Sequence, residues 1–350
     1  MDLTVAICTY RRPKMLEQTL ASLAACEPID AAWELLVIDN ECNDEVKRIV
    51  EGYADKMARI VTQLGVRSTE RSAEPSRPET RNSKPETRVP VRYIPEPTTG
   101  TSHARNRAIN EAGSPVVLFT DDDVTFEPAW LKRMWLAIST QGDCRFWGGR
   151  VEPVWSQPKP KWFDEGQNAM LGDTIVQYQR GEKPRLWDAK NDPPFYTANL
   201  ALRVDAVREA GMFDVTVGHA GKRRMGMEDS LMVRAVSGAG GKGWYVADAI
   251  VNHPVPDDRM KRSYGRRFAW RQGWLSAMMT RRRDDEGFGT KGKLPKWFFR
   301  VAIGELFKGI GQTLAGFFTF NSGKRFGGSV RVIFNCSRLW HGLFSRAGSE

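Results

Sequence analysis

The residues best equipped for chemistry are three consecutive carboxylates, Asp121, Asp122 and Asp123, which close the run Pro115-Val116-Val117-Leu118-Phe119-Thr120. From Val116 to Thr120 every residue is apolar or β-branched, which suits a strand buried on both faces. Three acids without a spacer repel one another at pH 7, and they stand together only where water or a cation offsets the charge. In open α/β sheets ligands collect at the carboxyl ends of strands, where this cluster falls. The plain alternative is a solvated turn ahead of a helix that starts near Pro128.

A second acidic pair sits in Gly226-Met227-Glu228-Asp229, at the head of a helical run through Leu231, Val233 and Val236 to Gly238. The helix dipole stabilises first-turn acids by ~0.3–1 kcal/mol each, so Glu228 and Asp229 have a structural use as well as a chemical one. His253 follows the strand-like Ile250-Val251 and can act as a hydrogen-bonder or as a ligand. Asp39 ends a strand-like run and can accept from a ribose hydroxyl or a base N–H, or serve only as a loop residue. His103, Arg105, Asn106 and Arg107 crowd the first turns of a helix expected to reach Ala112, with Ser102 as its N-cap. The dipole disfavours cations there, and a polyanion such as a diphosphate would relieve the conflict.

The elements that must position these groups alternate from the first residues. Leu3 to Cys8 reads as a strand and Pro13 as the first turn of a helix carrying Leu16, Leu20 and Leu23. Glu34 to Ile38 is a second strand, and Val46, Ile49, Val50 and Tyr53 mark the next helix. This β-α-β-α opening belongs to a parallel-sheet, nucleotide-binding α/β fold. Leu64 to Arg92 breaks the pattern, with Pro-Glu-Thr-Arg at 78–81 and again at 85–88, and its composition reads as a disordered insertion. Further on, Trp130, Leu131, Met134, Trp135 and Ile138 give a helix, and Phe146 to Val151 a strand whose Gly148-Gly149 admits a close neighbour. Residues 152–194 show no period and suit a lid or an acceptor-facing loop, Phe195 to Leu202 suits one strand, and Trp244 to Val246 and Ile250-Val251 suit two short ones.

In this order the motifs resemble the family 2 inverting glycosyltransferases of GT-A fold, from about Leu3 to Gly273. The resemblance rests on Val5-Ala6-Ile7-Cys8-Thr9-Tyr10-Arg11-Arg12-Pro13, Val37-Ile38-Asp39-Asn40 and Gly100-Thr101-Ser102-His103-Ala104-Arg105-Asn106. It continues through Phe119-Thr120-Asp121-Asp122-Asp123, Gly148-Gly149-Arg150-Val151, Asn199-Leu200-Ala201-Leu202-Arg203 and Gly226-Met227-Glu228-Asp229. It implies a Rossmann-like half and an acceptor half in one continuous mixed sheet. It also implies a nucleotide site of Thr9, Tyr10, Arg12, Asp39, Arg105, Asn106, Asp121 and Asp122. Asp123, and in some relatives a residue matching His253, would hold Mg²⁺ or Mn²⁺, while Asp229 would be the general base with Glu228 beside it. The expected reaction moves one sugar from a nucleotide-sugar, UDP being the family's commonest carrier, to a hydroxyl of a glycan or lipid-linked acceptor in cell-envelope polysaccharide synthesis. The processive synthases of the family add Gln-x-x-Arg-Trp, whereas this chain has Arg266-Arg267-Phe268-Ala269-Trp270-Arg271-Gln272-Gly273-Trp274, which points to single-sugar transfer.

Two rivals share parts of the pattern. Asp121-Asp122-Asp123-Val124-Thr125 satisfies the Asp-x-Asp-x-Thr of haloacid-dehalogenase-type phosphatases, in which Asp121 would be a nucleophile. The other rival is a non-enzymatic binder of membrane surfaces led by the tail, since residues 259–350 carry 19 Lys/Arg against 5 Asp/Glu within a chain of net charge +10. In that tail Phe299, Ile303, Leu306, Phe307, Ile310, Leu314 and Phe317 fall on one helical face, and Phe326, Val330, Ile333, Phe334 and Trp340 on a second. Basic amphipathic helices of this kind suit an anionic membrane surface rather than nucleic acid. The expected division is a catalytic domain over 1–258 and a basic helical region over 259–350. No stretch reaches the ~18 apolar residues of a spanning helix. Five cysteines without metal-type spacing, and the absence of a leader-like start, suit a reduced cytoplasmic setting on the inner face of the cell membrane.

Overall fold

Strand β1 (Leu3–Thr9) runs parallel to β2 (Trp33–Asp39) and to β4 (Val116–Asp121), and β2 runs parallel to β3 (Val91–Pro95). In this computed structural model the described residues are 1–67, 89–164, 166–220, 223–281 and 294–344. The crossovers are α1 (Pro13–Ala24), α2 (Asp44–Arg67) and α3 (Thr101–Glu111). Strand β2 is buried throughout and β1 and β4 nearly so, because helices cover both faces, and this is why their sequences are mostly apolar. Leu16, Leu20 and Leu23 of α1 and Val46, Val50 and Tyr53 of α2 fill the same core as Val5, Leu35 and Leu118.

After β4 come β5 (Thr125–Phe126), α4 (Trp130–Thr140), β6 (Cys144–Trp155), α5 (Met170–Thr174) and β7 (Arg185–Leu186). Next are β8 (Leu200–Arg203), α6 (Val204–Glu209), the hairpin β9 (Gly218–Ala220) and β10 (Arg223–Met225), α7 (Glu228–Gly238) and β11 (Lys242–Val255). Among the described residues one nine-stranded mixed sheet runs β3-β2-β1-β4-β8-β6-β11-β5, with β7 on β11. Strand β8 is antiparallel to β4 and to β6. The expected GT-A arrangement, a parallel nucleotide half continuing into an antiparallel half, is therefore present.

The structure redraws several boundaries. Phe195 to Leu202 is not one strand: a 3₁₀ turn at Thr197–Asn199 precedes β8. Asn199 explains the turn, because its amide is tied on both ends: Nδ2 donates to the carbonyls of Arg150 and Ala249, and Oδ1 accepts from Trp130. Conversely, the two short strands expected after Lys242 are one, since the interrupting Asp248 faces outward toward Arg133 and leaves the alternation intact. Gly100, not Ser102, precedes α3; the Ser102 hydroxyl donates to the Val217 carbonyl instead. Of the supposed insertion over 64–92, Leu64 to Arg67 extend α2, while Val91 and Arg92 pair with Leu35 and Leu36; residues 68–88 lie outside the described part. Arg92 tolerates its strand position because Glu34 and Glu111 flank its guanidinium.

The chain divides into two compact units, Met1–Glu152 with Tyr178–His253, and Pro153–Gln177 with Pro254–Glu350. The second thus takes in residues 153–177, which the sequence placed in the first. In it Phe163, Leu171 and Ile175 share a core with Ala269 of α8 (Arg262–Arg281) and with Phe326 and Val330 of α10 (Ser322–Phe344). Between these helices in sequence lies α9 (Lys296–Phe318). No helix among the described residues is long and apolar enough to cross a membrane.

Gly148 and Gly149 of β6 do admit close neighbours: a Cβ would strike the Phe195 ring at the first and Asn199 at the second. Gly149→Ala should destabilise the protein by about 1–3 kcal/mol through overpacking, read as a lowered urea midpoint.

Candidate functional site

The strand register places the acids. Cys8 of β1 is opposite Asp121 of β4, and Thr9 is opposite Asp39 of β2, so all lie at the carboxyl edge of the parallel strands. There the three aspartates have different surroundings. Asp122 is buried and accepts from the Thr9 hydroxyl at 2.7 Å and from Arg12 Nη1 at 3.1 Å. Asp123 Oδ2 accepts from the same Arg12 nitrogen at 2.8 Å. Its Oδ1 is buried with no hydrogen-bond partner and lies 3.6 Å from Nε2 of His253. Donor atoms of Asp121, Asp123 and His253 lie within 4.8 Å of one another. His253 reaches the group from β11, whose Asn252 pairs with Thr125 in β5, the short strand immediately after the aspartates.

Electrostatics separates these groups further. Burial, and then the Asp123 charge, push Asp121 up to about 6. Burial pushes Asp122 up to about 6 as well, against the opposing Arg12. The edge thus holds more negative charge than Arg12 offsets. Two carboxylates and an imidazole, one carboxylate oxygen being orphaned, form a donor set that fits a divalent cation. Cys8 beside them is no nucleophile, because burial raises its thiol to about 12.

The second acid pair sits at the start of α7. The preceding Met227 has φ 91°, a left-handed conformation that strains a residue with a Cβ and turns both acids inward. Glu228 is buried and accepts from Arg105 Nη1 at 2.6 Å and Thr101 Oγ1 at 3.2 Å. Arg105 Nη2 donates onward to Thr197 Oγ1 at 2.5 Å, and the Thr197 amide reaches Asp229 Oδ2 at 3.4 Å. Ser230 N donates to Asp229 Oδ1 at 2.7 Å. Burial opposes ionisation of Glu228, yet Arg105, His219 and the Glu228 amide together hold the carboxyl below its usual range. Asp229 goes the other way: burial, then the Glu228 charge, push it up to about 6.

Several expected site residues have other partners. Both oxygens of Asp39 accept, from the amides of Glu41 and Asn43 and from the Tyr93 hydroxyl, so this buried side chain holds the turn into α2. Asn106 clips the backbone of Phe213 through both ends of its amide. Arg105 of α3, where a polyanion was expected, is paired within the chain to Glu228. Tyr10 is half-buried, with the Arg11 guanidinium 5.0 Å from its ring centre. The sequence did not disclose Asn40, which accepts from Gly100 N and donates to the carbonyls of Glu96 and Thr98, fastening the loop ahead of α3. Its signals were a polar residue directly after a strand and a place in the Val37-Ile38-Asp39-Asn40 motif, neither of which told its partners. Thr101 stood in a motif without a role of its own and Thr197 stood in none, since only the fold brings them to Glu228 and Asp229.

A parallel half with an acidic strand edge, joined in one sheet to antiparallel strands and a second acid pair, is the plan of a GT-A glycosyltransferase. The family model described as "Glycosyl transferase family 2" matches residues 4–64 and 68–211. The chain belongs to that family and is a glycosyltransferase. It is 26% identical over 275 residues to the succinoglycan biosynthesis protein ExoM of Rhizobium meliloti, covering 78% of this chain and 73% of that one. It is 22% identical over 260 residues to the glucosyl-dolichyl phosphate glucuronosyltransferase of Haloferax volcanii, covering 73% and 70%. In fold it is similar to the mannosyltransferase PcManGT of Pyrobaculum calidifontis, solved with GDP-Man and Mn²⁺, at TM-score 0.51 and 16% identity over 97% of this chain and 87% of that one. It is also similar to S. aureus TarS 1-349 solved with UDP, at TM-score 0.50 and 15% identity over 97% and 91%. The phosphatase reading does not stand, because three strands precede β4 and Thr125 lies exposed in β5.

Removing Arg105 strands Glu228 as a buried, uncompensated charge. Arg105→Met should therefore cost about 3–5 kcal/mol of stability, and adding Glu228→Gln should restore a large part of it, measured by urea denaturation of both variants.

Proposed function

We propose that this glycosyltransferase transfers a single sugar from a UDP-sugar to a hydroxyl, with inversion, using a divalent cation held by Asp121, Asp123 and His253. The observation that carries the reading is the buried, unpartnered Asp123 Oδ1, grouped with two further donors on an over-acidic strand edge. Mn²⁺ suits this set better than Mg²⁺, because one donor is an imidazole nitrogen. When bound, the cation neutralises charge growing on the leaving diphosphate. Asp122, locked by Thr9 and Arg12, positions its two neighbours. Tyr10 offers an aromatic face at the mouth of the nucleotide crevice.

Asp229 takes the proton from the acceptor hydroxyl as that oxygen attacks the anomeric carbon. At about 6 its carboxylate is more basic than an ordinary aspartate and still ionised at pH 7. Glu228 is held by Arg105 and Thr101, so it supports the basicity of Asp229 rather than attacking the sugar. With Glu228 held by Arg105 through Oε1, Asp229 is the base of this pair, which favours direct displacement and so inversion of the anomeric centre. The names of the two relatives, one in succinoglycan biosynthesis and one acting on a dolichyl phosphate, support a glycan or lipid-linked acceptor in cell-envelope polysaccharide synthesis. A lipid-linked acceptor would have the enzyme work at the inner face of the cell membrane.

Isothermal titration with UDP and Mn²⁺ should show metal-dependent binding that Asp123→Ala abolishes. Asp229→Asn should bind UDP like the wild type while transfer falls by roughly 10²–10⁴. Equal loss of binding in both variants would refute the division of roles. The carboxyl of Asp229 is protonated below its pKa and cannot accept a proton, so kcat should rise with pH up to about 6 and level off above. A profile flat from pH 5 to about pH 8 would rule out a carboxylate base.

A further inference from the structure

Helix α9 turns its large apolar side chains outward. Ile303, Phe307, Ile310, Leu314 and Phe317 recur at steps of four and three and are 41–67% exposed. Phe318 and Phe320, at the turn into α10, are 84% and 90% exposed. After Phe298, buried at its head, the inner side of α9 is instead made of small residues at seven-residue intervals, Ala302, Gly309 and Gly316. A Cβ on Gly309 would meet the Gly328 carbonyl at 3.1 Å, and one on Gly316 the Arg325 amide at 2.5 Å, so α9 and α10 approach backbone to backbone.

Small residues inside and phenylalanine, leucine and isoleucine outside is how helices pack when hydrocarbon surrounds them. It is the reverse of a surface helix in water, whose apolar stripe faces the core. A contiguous apolar face of this extent marks a contact surface. Alongside it an open groove of about 420 Å³ runs between α9 and α10, lined by Ile310, Leu314, Val332 and Ile333, with Arg266 at its edge. Charge names the occupant: residues 294–344 carry seven Lys/Arg and one acid, Glu305. A second copy would set those cations against themselves, whereas an anionic bilayer complements them.

We propose that the α9–α10 hairpin lies in the plane of an anionic bilayer, with Phe318 and Phe320 entering the acyl boundary and Lys296, Arg300 and Lys324 at the level of the lipid phosphates. Helix α9 rests on the surface and does not span it. The groove beside it has room for part of an acyl chain.

The test is flotation of the full-length protein with phosphatidylcholine vesicles, with and without about 30% phosphatidylglycerol. The wild type should float with the anionic vesicles at least about tenfold better than with neutral ones. Phe318→Ser/Phe320→Ser should lower partition by about tenfold or more, with thermal unfolding unchanged because both rings are exposed. Arg300→Glu/Lys324→Glu should erase the preference for anionic lipid. Undiminished flotation of the phenylalanine variant, or no flotation of the wild type, overturns the membrane assignment. So does a concentration-dependent dimer that the phenylalanine variant disperses, which would give the face to a second copy. UDP titration with Mn²⁺ should be unchanged in these variants, so failure of the lipid contact and failure of the transfer chemistry give different results.

Discussion

The contact between Arg105 and Glu228 at 2.6 Å, buried on both sides, is the interaction on which the rest of the site depends. It joins α3, packed on the parallel strands, to α7, which lies between β8 and β11 of the antiparallel half. Burying two ions costs several kcal/mol each in desolvation, and the pair offsets this only with further hydrogen bonds. Thr101 and Thr197 provide them. Because Arg105 also feels Asp121 and Asp229, its charge is shared between the two acidic groups.

That sharing explains how two adjacent acids acquire opposite characters. Glu228 has the guanidinium in direct contact and stays ionised, while Asp229 receives a distant share of that charge and the repulsion of Glu228. The same division recurs in Asp121-Asp122-Asp123. Asp122 is fixed by Thr9 and Arg12, which leaves Asp123 one bound oxygen and one bare. In both motifs a neighbour that looks redundant in sequence is the brace for the one proposed to do the chemistry.

The parallel half was legible because its signals are local. Leu3 to Thr9, Trp33 to Asp39 and Val116 to Asp121 are mostly apolar runs, and Pro13 marks the head of α1. Ordered motifs also located the acids. What could not be read was which partner each polar group takes, since Asn106 with Phe213 and Thr101 with Glu228 are contacts over a hundred residues apart in sequence. Short-range pattern likewise failed at Thr197–Asn199, where long-range hydrogen bonds override β-propensity. The face of α9 was visible as a stripe, but the stripe alone did not say that the glycine seam would take the inside.

The long connection from α2 to β3 has one more consequence. Strand β3 is the edge of the sheet and parallel to β2, so Val91 enters opposite Leu35, at the amino end of the strands, while the aspartates stand at the other end. Loop-closure entropy grows only with the logarithm of length, so residues added there are thermodynamically cheap. This seam is where added sequence leaves the acidic strand edge untouched, and where a tag or reporter could be spliced with least disturbance of it.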